Sequence, residues 1–140
     1  MGNNNQLSRY GAVSRIVPTA GPQGKYFFVG SASAAYFSSL GFDFPVDNDG
    51  EVRVFSSITA ALAATVANRG DVIMVLPGYA ESVGSAAGIN ISKAGVTLVG
   101  LGNAANRPTI TFTTATDATI TVTAANVTIE NFIFLQTFDA

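Results

Sequence analysis

Ile89-Asn-Ile-Ser-Lys-Ala-Gly-Val-Thr-Leu-Val-Gly100 and Ile120-Thr-Val-Thr-Ala-Ala-Asn-Val-Thr-Ile-Glu-Asn131 are two copies of one pattern, offset by 31 residues. Apolar side chains recur at Ile89/Ile120, Ile91/Val122, Val96/Val127 and Leu98/Ile129. The residue before the second run is Gly95 in one copy and Asn126 in the other. These two residue types most readily take the left-handed backbone of a tight corner. A strand, a corner and a second strand, repeated at a fixed period, predict a chain that coils and stacks on itself.

Working outward, the buried-type run Val72-Ile-Met-Val-Leu76 is bounded by Asp71 and Pro77-Gly78 and reads as a strand. With Thr109–Phe112 it supplies one side of a three-sided circuit. Ile89–Ile91 and Ile120–Val122 form a second side, and Val96–Val99 and Val127–Phe134 the third. This gives about two coils over residues 71–140, fewer than the three repeats a solenoid usually needs. Phe132-Ile-Phe-Leu-Gln-Thr-Phe138 ends the chain as an apolar strand with no cap, so it is expected to meet a partner or further polypeptide.

Upstream, Ser56 and Ser57 offer N-caps for a helix over 57–68, with Ile58, Ala61, Leu62, Thr65 and Val66 on one face and Gly70 as stop. Such a helix would cover the first rung, whose apolar end and unpaired edge need a lid. Lys25–Val29 reads as a short aromatic strand, and 42–55 as a hairpin turning at Asp47-Asn-Asp-Gly50. Residues 25–70 are therefore expected as a small α+β cap with one helix. Residues 1–24 are polar, with Pro18 and Pro22, and read as an extended arm.

Composition narrows function. Of 140 residues, 48% are apolar and only 11% charged, a surface suited to packing against other subunits. A net charge of −2 with seven scattered Lys and Arg makes no phosphate-binding patch, so no nucleic-acid partner is expected. Without Cys or His, thiolate metal sites, imidazole catalysis and Ser-His-Asp chemistry are excluded. Met1-Gly-Asn-Asn-Asn-Gln6 lacks a basic region followed by an apolar one, and Ile58–Ala67 is half a membrane span. Synthesis in the cytoplasm without signal peptide or membrane is expected.

Individual motifs favour bland readings. Asp43, Asp47, Asp49 and Glu51 are a hairpin turn rather than a calcium loop, since Pro45 and Ser56 stand where oxygen ligands are needed. Gly100-Leu-Gly102-Asn-Ala-Ala105 matches a dinucleotide fingerprint, but Pro108 and Thr109-Ile-Thr forbid the helix that motif requires. Those glycines read as a corner. Glu81, Asp117, Glu130, Lys93 and Arg107 form no ladder for glycan cleavage and read as lone solvated charges. No catalytic, cofactor or metal residue is expected. Candidate interface residues are Tyr10, Tyr26, Phe28, Tyr36, Phe37, Phe132, Phe134 and Phe138.

Ser57-Ile58…Gly70-Asp71-Val72…Pro77-Gly78…Gly95-Val-Thr-Leu-Val-Gly-Leu-Gly102…Ala125-Asn-Val-Thr-Ile-Glu-Asn-Phe132 resembles the pectate-lyase-like right-handed parallel β-helix superfamily over about residues 56–138. That superfamily spans lyases, hydrolases, tailspikes and non-catalytic virion proteins, so it implies fold more than function. Gly24-Lys-Tyr-Phe-Phe-Val-Gly30, Phe44–Ser57 and Arg69–Gly78 look like tailed-phage structural proteins encoded with head genes. The resemblance implies a capsid decoration protein or head fibre in the virion, bound to the major capsid protein or other head proteins. It also implies a homo-oligomer, with a trimer as the form considered. The rivals are the start of a tailspike that binds or cleaves glycans, and an assembly scaffold.

Overall fold

The computed structural model describes residues 24–30 and 53–139. The hairpin turn, residues 1–23 of the expected arm 1–24, and Tyr10, Tyr36 and Phe37 lie outside those residues. Ten strands and one α-helix follow in order: β1 (Tyr26–Val29), β2 (Val54–Phe55), α1 (Ile58–Ala64), β3 (Val72–Val75), β4 (Ala80–Val83), β5 (Ile89–Ile91), β6 (Thr97–Gly100), β7 (Thr109–Phe112), β8 (Ile120–Val122), β9 (Thr128–Glu130) and β10 (Ile133–Gln136). The protein is mainly β, and every strand pairing among the described residues is parallel.

Three sheets result. The long one runs β2-β1-β3-β6-β9, a second β4-β7-β10 and a third β5-β8. From β3 onward the chain visits the long, second and third sheets in turn, then repeats, and ends after β9 and β10. This corrects the expected sides. Val72–Leu76 does not share a side with Thr109–Phe112; β3 pairs with β6, Val72 opposite Thr97. The partner of β7 is instead β4, Ala80 opposite Thr109, a strand the sequence reading passed over. The run Val127–Phe134 is likewise two strands on two sheets, β9 and β10, broken at Asn131, whose φ is +63°.

The 31-residue repeat survives as register. Ile89 faces Ile120, Ile91 faces Val122 and Leu98 faces Ile129. At the corner entering the long sheet, Asn68, Gly95 and Asn126 all have positive φ, at +60°, +75° and +56°. The corners are also bonded to one another: Asn68 N–H donates to Ala94 O at 2.8 Å and Gly95 N–H to Ala125 O at 3.1 Å. Side chains at these positions tolerate the left-handed region because they are Asn or Gly, as a corner of this kind demands.

Alternate residues of the long sheet point opposite ways. Phe27, Val29, Ile73, Val75 and Leu98 join Ile58, Ala61, Leu62, Val83, Ile89, Ile91 and Ile110 in the main core. Phe28, Val72, Met74, Leu76 and Val99 form a second apolar cluster on the other face. Burial on both faces accounts for the uninterrupted apolar run Val72–Leu76.

Helix α1 begins where expected, with Ser57 Oγ accepting from Ala60 N–H at 3.2 Å. It stops at Ala64 rather than Asn68. Thr65 takes an extended conformation (ψ 159°), is buried, and turns its hydroxyl back onto Leu62 O at 2.8 Å. Ile58, Ala61 and Leu62 face the core.

Between successive coils one glycine has no substitute. A Cβ on Gly100 would collide with the backbone oxygen of Asn131 in the next coil and with Pro108. Gly100→Ala is expected to lower stability by about 1–3 kcal/mol, read as a lower urea midpoint, because neither neighbour is a flexible side-chain tip.

Candidate interaction surface

The two ends of the stack differ. At the β1 to β3 end, α1 lies against β1, β2, β3 and β5. Side chains from the coils hold this helix at both termini. Glu81 Oε2 accepts from the first helical N–H, Ile58, at 3.1 Å. The Lys93 ammonium donates to Ala63 O at 2.7 Å and also to Thr65 O. An anion at the N-terminus and a cation at the C-terminus match the polarity of the helix. Glu81 and Lys93 are thus corrected from lone solvated charges to helix clamps. Arg107 Nε donates to Ala104 O at 3.0 Å, while Asp117 and Glu130 are exposed as expected.

Tyr79 joins this clamp. Its hydroxyl lies 2.6 Å from Glu81 Oε2 and 3.1 Å from Ser56 O. Burial and the adjacent carboxylate push its ionisation well above the usual phenol range. A shallow cleft beside it, of about 490 Å³, is lined by Gly30, Ser56 and Leu76 to Ala80. The Glu81 carboxylate lies close to this cleft, but the helix N-terminus already occupies the oxygen that Tyr79 binds.

Asp71 closes the same end from the side. Its carboxylate is fully buried and accepts from Lys25 N–H (2.9 Å), Val66 N–H (2.8 Å), and Arg69 Nε and Nη2 (2.6 and 2.7 Å). Burial alone would raise its pKa, but the Arg69 hydrogen bonds and those from the Lys25 and Val66 backbone hold it below the ordinary 3.8.

At the opposite end no such cover is present among the described residues. Strands β8, β9 and β10 are the last in their sheets, so among the described residues their outer edges carry no strand. Here the core is cut in cross-section. Ile91 is 0% exposed, whereas Val122, opposite it in register, is 47% exposed. Ile110 is 1% exposed, whereas Phe134 opposite it is 50% exposed. Ile120, Val127 and Ile129 are half-buried, and Leu135 on the outer face is 50% exposed. Phe134 stacks on Phe112 and Phe132 at centroid distances of 6.3 and 6.2 Å, so its ring is anchored from beneath and bare above.

The expected interface residues divide accordingly. Phe134 lies on the outermost strand β10, and Phe138 is half-buried. Phe132 is buried in the main core, and Phe28 in the second cluster, with Tyr26 packed against it. These three serve the protein's own packing. Val122 and Leu135, the other large apolar side chains exposed on the outermost strands, were not among the expected residues, although the pairing of Ile91 with Val122 was visible in the 31-residue offset. Gly100 to Ala105 forms a corner, with Gly102 at φ +105° and only a single 3-10 turn over Ala104–Asn106, so no dinucleotide helix follows. Asp43, Asp47, Asp49 and Glu51 lie outside the described residues. Among the described residues, no group of three His, Cys, Asp or Glu could hold a metal, and no helix is long and apolar enough to cross a membrane.

The Asp71 bonds make stability pH-dependent. With its folded pKa below the unfolded value, the contribution is complete above about pH 4–5 and is lost as pH falls through the folded pKa. In urea titrations, Asp71→Asn is expected to cost about 2–5 kcal/mol at neutral pH and to flatten the acid limb of the wild-type profile. Comparison with protein-family models, with curated proteins and with solved structures found no match for this chain.

Proposed function

We propose that the chain is a short right-handed parallel β-helix serving as a non-enzymatic structural component of a tailed-phage virion. In this reading it binds the major capsid protein or another head protein, as a decoration protein or head fibre, and associates with copies of itself. The observation that carries the proposal is an exposed apolar rung: among the described residues, Val122, Phe134 and Leu135 stand half-exposed on the outermost strands of the three sheets. Exposed apolar surface on a strand edge is an aggregation hazard unless a partner covers it. Chains that live in an assembly satisfy that demand by subunit contact. Low charge supports the same reading, since 11% charged residues leave little solvation to keep such a surface apart.

The resemblance of residues 56–138 to the β-helix superfamily, and of Gly24–Gly30 and Arg69–Gly78 to phage head-associated proteins, supports the virion setting. For the tailspike rival, a catalytic carboxylate pair along one coil face would be needed. Glu81 is engaged by Ile58 N–H and Tyr79, and Glu130 has Val99 opposite it one coil back.

The arm is the proposed anchor. Deleting residues 2–20 is expected to abolish co-sedimentation with assembled capsids while the circular dichroism of the β structure is retained. Undiminished capsid binding by the truncated chain would refute the anchor, and release of reducing ends from capsular polysaccharide would favour the tailspike rival.

A further inference from the structure

We draw no further inference here: the strongest candidate, the apolar surface patch that Val122, Phe134 and Leu135 leave half-exposed on the outermost strands β8 and β10, carries none, because nothing among the described residues shows what covers it.

Discussion

A single buried carboxylate holds the base of this protein together. Asp71 lies at the point where the chain enters the first strand of the repeating circuit. Its two oxygens receive the backbone of β1 through Lys25, the exit of helix α1 through Val66, and the Arg69 guanidinium. Three segments distant in sequence or direction are thus fixed to one side chain. An ionised group with no exposed surface is tolerable only when every lone pair has a donor, and here four N–H groups supply them. The arrangement sets the height of α1 relative to the first rung. Glu81 and Lys93 then fix its two termini.

This use of charge explains how a chain with so few ionisable side chains stays ordered at one end. A seven-residue helix is too short to stand by its own hydrogen bonds. Its apolar face, Ile58, Ala61 and Leu62, fills the end of the core, and its orphan N–H and C=O groups are met by coil side chains. Packing and polar satisfaction thus point the same way, as they do in a unique fold. Nothing comparable occurs at the other end among the described residues.

How much of this could be read from the sequence depends on the kind of signal. Register was legible, because Ile89/Ile120, Ile91/Val122 and Leu98/Ile129 repeat at one offset and parallel pairing preserves that offset. The corner residues Gly95 and Asn126 were legible for the same reason. Strand β4 was not. Ala80-Glu-Ser-Val83 has one buried apolar residue, and its conformation comes from pairing with β7 rather than from its own pattern. Without β4, the run Val72–Leu76 had no correct side to belong to. Glu81 and Lys93 were misread because a charge in a strand looks solvated until the position of the helix is known. Phe134, singled out on the apolar strand 132–138, is half exposed, whereas the similarly exposed Val122 and Leu135 were not singled out. Phe132 and Phe134 are two apart and both follow the corner at Asn131, yet one is buried in the core and the other half exposed.

The contrast between the ends has a thermodynamic consequence. Along two inward columns an apolar side chain passes from buried to half bare within one coil, as Ile91 does to Val122 and Ile110 to Phe134. Covering the rung removes apolar surface from water at about 25 cal/mol per Å², and also pairs backbone groups that otherwise bond to solvent. Both gains fall on one surface and neither requires the coils beneath to rearrange. Asp71, Glu81 and Lys93 make the base rigid, so a segment docking on the rung need order only itself. A low ordering cost is what lets a small contact bind.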